Sequence, residues 1–329
     1  MKIAVDIMGG DHAPQALIAA VRSAAIAWPE RRFLAVALPE CLDQFRGLDN
    51  IEPVPCGSVM EMDEDVRGLM KKKDSSIWVA TDLVKQQAAD AVVSAGSTAA
   101  QMTAATLLLG RIRGVARPAI GTLLPTAEGP RLMLDAGANA DCDADMLLQF
   151  ALMGDVYARC MLNMPQPRIA LLANGTEDHK GSALTHEAFA KIAASGLHFI
   201  GNREGRDLLQ GGYDVMVTDG MSGNIALKSL ESAATRIMSM LKQELTSSLW
   251  RKVGASMVKQ GLAHIKRKMD YQEYGGAPLF GVRGVSVVCH GSSGERAIFR
   301  ALDVAAKCLE SGLVGELTRS LEPLAGAPA

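Results

Sequence analysis

Short apolar runs alternate with helix-like stretches along this chain, and the alternation constrains the fold more than any other feature. The runs have the length and the aliphatic content of buried strands, and helical spacing of apolar residues fills most of the intervals. They span residues 2–7, 33–38, 91–93, 119–124, 131–134, 168–172, 198–200, 214–217 and 285–289. This order predicts an α/β fold, with a mostly parallel sheet and helices on both faces.

The composition indicates how such a sheet is packed. The chain has 329 residues, so it forms either one large unit or two lobes around a shared cleft; we expect a single α/β catalytic unit over residues 1–329. Hydrophobic residues make up 48% of the chain and aromatic residues only 4%. The core is therefore expected to consist of small aliphatic side chains and methionine.

Charge and cysteine usage exclude several classes of protein. A formal net charge of −2 argues against general nucleic-acid binding. The six cysteines are scattered without metal-ligand spacing, so we expect reduced thiols and neither a metal nor a cofactor. The first residues enter a strand pattern at once, which predicts a cytoplasmic protein.

Segments rich in glycine and hydroxyl groups follow six of the predicted strands. They span residues 8–14, 94–100, 134–139, 173–182, 218–224 and 290–294. Glycine lets backbone N–H groups approach a ligand closely, and a following helix start adds unpaired donors and a positive dipole end. Because ligands of such sheets bind beyond the carboxyl ends of strands, we expect the six loops to converge on one cleft that holds a phosphate-like anion.

The sequence lacks the motifs of several common enzyme classes. It contains no GxxxxGK[ST] loop, no strand-linked GxGxxG, no GxSxG elbow and no HExxH. Asp141, Asp143 and Asp145 resemble part of a calcium loop, but the glycine and glutamate that complete such a loop are missing. We expect these aspartates to cap a helix.

Taken in order, the motifs resemble those of the acyl-carrier-protein:phosphate acyltransferases of bacterial phospholipid synthesis, the PlsX family. The resemblance covers essentially the whole chain. It is carried by residues 6–14, 71–76, 94–98, 117–119, 134–142, 149–154, 180–181, 219–220, 223–224, 273–279 and 290–293. The chain departs from the family at Ser97-Thr98-Ala99, where members carry Asn-Thr-Gly, and at residues 173–178, where they carry Asn-Ile-Gly-Glu-Glu.

The resemblance implies a reaction, a fold and partners. Members transfer a long-chain acyl group from acyl carrier protein to inorganic phosphate, and the acyl phosphate serves glycerol-3-phosphate acylation, which makes that acyltransferase a further partner. The implied fold is similar to isocitrate and isopropylmalate dehydrogenases. The implied state is a homodimer in peripheral contact with the membrane.

We predict that the strand-end loops hold phosphate through backbone donors and short polar side chains. The predicted substrate-binding residues are Gly9, Gly10, Asp11, His12, Ser94, Gly96, Ser97, Thr98, Asp135, Asn139, Asn174, Gly175, Gly223 and Ser292. A purely structural role remains open for three of them, because His12 could cap the first helix, and Asp135 and Asn139 could only fix a turn.

Dianionic phosphate is itself a nucleophile, so positioning and charge stabilisation should dominate the catalysis. Lys180 is expected to offset charge on phosphate or on the developing oxyanion. Asn224 and His290 are expected to polarise the carbonyl or protonate the departing thiolate, with Asp219 orienting one of them. Alternatively, His290 is only hydrogen-bonded within the fold and Lys180 is a surface lysine at a helix start.

Residues 229–271 are predicted to form a projecting helical hairpin. An apolar stripe at three- and four-residue spacing begins at Leu230, and a second contains Trp250, Val253, Met257 and Leu262. Residues 251–268 include six basic and no acidic residues. Basic charge beside tryptophan and aliphatic residues is typical of a helix on anionic lipid, whereas the alternative is a dimer interface; both hold if the stem dimerises and the tip contacts lipid.

Other functions remain open at this point. One is a phosphate acyltransferase that uses acyl-coenzyme A, and another is a non-catalytic membrane scaffold for lipid-synthesis enzymes. A decarboxylating NAD-dependent dehydrogenase fits the motifs poorly. The basic run Lys71-Lys72-Lys73 is either a solvated surface or a contact for the acidic carrier protein.

Overall fold

The computed structural model describes residues 1–178, 180–269 and 275–322. The strands in this part of the chain are β1 (Lys2–Asp6), β2 (Arg32–Ala37), β3 (Ile51–Pro55), β4 (Ala91–Ser94), β5 (Ala119–Thr126), β6 (Gly129–Leu134), β7 (Ile169–Leu172), β8 (Phe199–Arg203), β9 (Val215–Val217), β10 (Ala277–Phe280) and β11 (Val285–Val288). The α-helices are α1 (Gln15–Ala27), α2 (Ser76–Lys85), α3 (Thr98–Leu108), α4 (Ala144–Met161), α5 (Ala183–Ala193), α6 (Gly220–Leu245), α7 (Leu249–Met269), α8 (Glu295–Glu310) and α9 (Leu313–Leu321).

All described strands belong to one sheet, in the order β3-β2-β1-β4-β11-β10-β5-β6-β9-β7-β8. The first five are parallel to one another, and the last four form a second parallel block. Between the blocks, β10 and β5 are antiparallel to both of their neighbours. The two blocks therefore run in opposite directions, and a twist of roughly 20–25° per strand accumulates across the sheet.

Helices cover both faces of this sheet, as alternate residues of β1 demonstrate. Ile3 and Val5 are fully buried in the largest core cluster, which includes residues of α1 and α8. Ala4 faces the other way, in a separate cluster with Ala80 of α2. The predicted mostly parallel α/β architecture with helices on both faces is confirmed.

The nine strands predicted from apolar runs are all present, within three residues of their expected bounds. Two further strands were missed, β3 and β10. Pro53 and Pro55 interrupt the strand pattern of β3, and they are tolerated because β3 lies at the edge of the sheet. Pro278 has the same effect on the short β10. The predicted helix cap is present, since the carboxylate of Asp143 accepts the amide of Met146 at 2.8 Å.

Two helices, α6 and α7, occupy the region of the predicted hairpin, but α6 begins at Gly220 rather than near residue 229. The first turns of α6 are polar and glycine-containing, and so they did not show the apolar stripe used for the prediction. Residues 270–271 of the predicted hairpin and 273–274 of the family motif lie outside the described residues, as do the side chains at 264–269. No helix within the described ranges is long and apolar enough to cross a membrane.

Candidate active site

The loops after β1, β4 and β11 pack against one another. The amide of Asp11 donates to the carbonyl of Gly291 at 2.8 Å. Gly9 lies so close to the loop after β4 that a Cβ on this glycine would be 2.6 Å from the amide nitrogen of Gly96. Gly10 adopts a φ of +107°, which other residues rarely reach. The glycines predicted for anion binding are thus also required for the contact between these loops.

A buried carboxylate fixes this first group of loops. Asp6 and Ser94 are partners in the β1–β4 register, and the Ser94 hydroxyl donates to Asp6 at 2.7 Å. The same hydroxyl accepts the amide of Gly96 at 3.0 Å, and the amide of Met8 donates to Asp6 at 3.2 Å. Burial raises the pKa of Asp6, although these donors oppose the shift. Because the Ser94 side chain is fully buried, it supports the loop rather than contacting a ligand.

A second buried carboxylate fixes the loop after β6. Asp135 accepts the backbone amides of Asn139 at 2.8 Å, Ala138 at 2.9 Å, Gly137 at 3.1 Å and Ile120 at 3.2 Å. It also accepts the side-chain amide of Asn139 at 2.8 Å. Burial raises the pKa of Asp135, and the backbone donors again oppose it. Asp135 and Asn139 therefore have the turn-fixing role that the sequence left open.

The start of α6 packs directly on this loop. Asp219 caps the helix by accepting the amide of Ser222 at 2.8 Å, so its carboxylate is used in capping. A Cβ on Gly223 would lie 1.9 Å from the carbonyl oxygen of Asp135, which leaves no room for any side chain. Gly137, with a φ of +131°, lies under Asn224. The position of Asn224 is thus set by the loop after β6.

Both groups of loops line one cavity of about 410 Å³, next to β5 and β10. Its polar lining includes the predicted residues Asp11, Thr98, Asn224 and His290, together with Lys228 and Glu231. Its apolar lining includes Ile120, Leu123, Tyr157, Leu227 and Val288. Loops from the two oppositely directed blocks therefore do meet, but at the middle of the sheet and not along one common edge.

Helix starts add positive dipole ends to this cavity. Thr98, the first residue of α3, and Ser293, just before α8, are both lining residues. Ser97 caps α3 by accepting the amide of Ala100 at 3.5 Å. Backbone N–H groups at helix starts have no partner within the helix, so these ends favour a bound anion.

His290 makes polar contacts through both ring nitrogens. Its Nε2 lies 2.9 Å from Nζ of Lys228, and its Nδ1 lies 2.9 Å from Oγ of Ser292. Burial lowers the pKa of His290, and the charge of Lys228 lowers it further, whereas Glu231 and Asp11 oppose the shift. The lower pKa favours a neutral imidazole at pH 7.

Fourteen of the eighteen predicted catalytic and substrate-binding residues lie outside the cavity lining, among them Asn174, Gly175, Lys180 and His12. Asn174 and Lys180 are exposed in the loop after β7, where the side chain of Lys180 lies against Gly175. His12 is exposed as well, and it does not cap α1, which has Pro14 at its N-cap. Roles for these four residues in phosphate binding or charge compensation stay predictions.

Sequence reasoning missed two charged residues of the lining, Lys228 and Glu231. They lie one and two helical turns after Asn224, on the same face of α6. The signal was present in the spacing. Loop composition does not reveal it, because both residues lie inside α6, whose apolar stripe begins only at Leu230.

Cys289 lines the cavity and its thiol could in principle act as a nucleophile, but its environment argues against covalent catalysis. Burial raises the pKa of this thiol to about 12, so almost no thiolate forms at neutral pH. We expect Cys289→Ala to keep initial rates of acyl transfer within about threefold of the unaltered protein. Loss of more than about 100-fold, the scale of removing a catalytic group, would contradict this.

Comparisons of sequence find relatives over nearly the whole chain. The model of the family described as "Fatty acid synthesis protein" matches residues 1–315. A protein named phosphate acyltransferase from Desulforamulus reducens is 50% identical over 329 residues and covers 98% of each chain.

Solved structures show the same fold at low identity. A phosphotransacetylase from Streptococcus pyogenes has a TM-score of 0.62 and 18% identity, over 94% of each chain. A 4-hydroxythreonine-4-phosphate dehydrogenase from Klebsiella pneumoniae has a TM-score of 0.51 and 14% identity, over 99% of each chain. These structures show the fold alone; the family model and the sequence relatives show that the chain belongs to the phosphate acyltransferase family.

Proposed function

We propose that this protein transfers a long-chain acyl group from acyl carrier protein to inorganic phosphate and releases an acyl phosphate for phospholipid synthesis. This proposal rests on one observation: a cavity that combines helix starts, a lysine and a histidine with an apolar wall. The polar part suits an anion, and the apolar part suits the acyl chain next to its thioester. The product would serve a glycerol-3-phosphate acyltransferase.

In the proposed reaction, a phosphate oxygen attacks the thioester carbon. A C–O bond forms, the C–S bond breaks, and the electron pair of that bond leaves with sulfur. The proton of HPO₄²⁻ balances the thiolate, so the products are the acyl phosphate dianion and the free carrier thiol. The side-chain amide of Asn224 would polarise the carbonyl from the start of α6, and helix starts would hold phosphate for attack on the face of the carbonyl carbon.

The direct test is to mix the protein with long-chain acyl carrier protein and labelled phosphate, and to trap acyl phosphate with hydroxylamine. We expect labelled product that depends on both substrates. No product from the carrier, with clean product from acyl-coenzyme A, would reverse the carrier assignment. No product from either donor would favour the scaffold function.

The hairpin supports a proposed homodimer and membrane contact. Ile237 and Leu241 on α6 are exposed, at 58% and 37%, along the predicted stripe of the stem. At the tip, Trp250 is 88% exposed, Met257 is 83% exposed and Val253 is 59% exposed. Exposed apolar groups of this size favour a partner surface. In our proposal the stem meets its symmetry mate and the tip enters anionic lipid.

Replacing Trp250 with glutamate is expected to reduce retention on anionic vesicles by at least about tenfold, because a charge replaces the largest apolar group of the tip. Co-sedimentation with vesicles in which roughly one third of the lipid is anionic measures this effect. Salt should weaken the binding of the unaltered protein, since exposed basic groups are screened. Equal retention of Trp250→Glu and the unaltered protein would exclude the tip as the lipid contact.

A further inference from the structure

Lys228 occupies a position in the cavity that neither the loops nor the family motifs indicated. It lies one turn after Asn224, and both side chains line the cavity. Besides His290, Lys228 is the basic residue among the described lining residues. The lysine predicted from the sequence for charge compensation, Lys180, lies outside that lining.

The contacts of Lys228 determine the state of His290. A lysine ammonium group can only donate, so Nε2 of His290, 2.9 Å away, accepts from it. The neutral ring then carries its proton on Nδ1, which donates to Oγ of Ser292 at 2.9 Å. The amide N–H of Ser292 also points at Nδ1, at 3.2 Å, and this longer contact would need Nδ1 as the acceptor. We assign the tautomer from the shorter, charge-assisted contact.

The ammonium group keeps donors available for a ligand. Its second contact in the cavity is with Glu231, where Nζ and Oε2 are 3.4 Å apart. Its side chain is 51% exposed, so the ammonium group is not enclosed in a buried ion pair. An ammonium group has three N–H donors, of which His290 and Glu231 use two.

The geometry points to Lys228 as a catalytic residue of this site, whose ammonium group binds the phosphate dianion beside the thioester. His290 is then a positioning residue that accepts a hydrogen bond from Lys228 and is held there by Ser292. It is not the acid that protonates the thiolate. This inference rests on the proposed function for its chemistry, but the binding of phosphate can be tested without any turnover.

The first experiment measures the binding of inorganic phosphate by titration calorimetry. Lys228→Met is expected to weaken binding by at least about tenfold relative to the unaltered protein, and Lys228→Arg should restore part of it, because the charge returns. The matched control is Lys307→Met, which removes a lysine that pairs with Asp303 on the surface of α8. Equal binding by Lys228→Met and the unaltered protein, or no binding by the unaltered protein at millimolar phosphate, would overturn the proposal.

The second experiment separates the two residues by kinetics. With acyl carrier protein as donor, Lys228→Met should raise the KM for phosphate at least about tenfold and leave the KM for the carrier within about threefold. His290→Gln keeps an acceptor for Lys228. If His290 is not the acid, the rate of acyl transfer by this variant should fall by the same factor with an alkyl thioester and with a thiophenyl ester, whose leaving group needs no proton. If His290→Gln transfers the acyl group of the thiophenyl ester at the normal rate, His290 is the acid that protonates the thiolate.

The outcomes for the proposed function and for Lys228 are distinct. If the unaltered protein forms no acyl phosphate, the proposed function fails, while the calorimetry still decides whether Lys228 binds phosphate. If Lys228→Met unfolds, as judged by its thermal transition, Lys228→Gln and Lys228→Arg carry the same comparison. A normal KM for phosphate in a folded Lys228→Gln variant sinks the inference.

Discussion

Asp135→Asn is expected to destabilise the protein by about 2–4 kcal/mol, because the replacement turns one acceptor oxygen into a donor. Asp135 is fully buried and accepts five hydrogen bonds, three at Oδ1 and two at Oδ2. Whichever oxygen is replaced, at least two N–H groups then face an NH₂ group, and the buried donors cannot reach water.

The same change should reduce acyl transfer by about 100-fold, since the loop that it fixes supports Asn224, and displacements of about 1 Å in a site have this effect. Denaturant unfolding and initial rates measure the two quantities. The matched control is Asp145→Asn on α4, which removes a surface ion pair with Lys191 and should change stability by less than about 1 kcal/mol. Similar stabilities for the two variants would show that the loop does not depend on Asp135.

Gly223→Ala should be the most damaging replacement of a single hydrogen by a methyl group in α6. Helix propensity alone would make it stabilising by up to about 1 kcal/mol. The new Cβ, however, would lie 1.9 Å from the carbonyl oxygen of Asp135, where the neighbour is backbone and cannot rotate away. Overpacking of this kind costs about 3 kcal/mol or more, so the net effect is a loss of stability.

Because the start of α6 must move to make room, Gly223→Ala is also expected to lower turnover about 100-fold through the displacement of Asn224. The control is Gly315→Ala in α9, where a Cβ meets nothing within 4 Å. That variant should be between neutral and about 1 kcal/mol more stable. Thermal unfolding of both proteins gives the answer, and a stabilised Gly223→Ala would refute the close packing of α6 on the loop.

The sequence predicted the sheet well because its strands are short aliphatic runs between helical stretches. The same rule failed at β3 and β10, where proline hides a strand that tertiary pairing stabilises. The direction of the second block was not predictable from local pattern. It depends on β5 and β10, whose antiparallel pairing joins residues 119–120 to residues 279–280, far apart in the chain.

Loop chemistry predicted part of the candidate site for a physical reason. Glycine is needed where two loops pass close to each other, and this need is visible in the sequence. The cavity residues Asp11, Asn224 and His290 lie in segments that follow strands, as expected. Lys228 was missed because its contribution depends on which face of α6 turns inward. The loop that carries Lys180 has the same composition as the other loops, although the structure places this lysine outside the cavity lining.

The return of the chain through β10 and β11 has a consequence for biosynthesis. Until residues 277–288 have emerged from the ribosome, β4 and β5 each have an unpaired edge, because β10 and β11 lie between them in the order of the described strands. Nascent chains that stall before this point would expose both edges, and exposed strand edges favour aggregation with other chains. His290 lies two residues after the end of β11, so the histidine of the cavity emerges only after both strands that cover these edges.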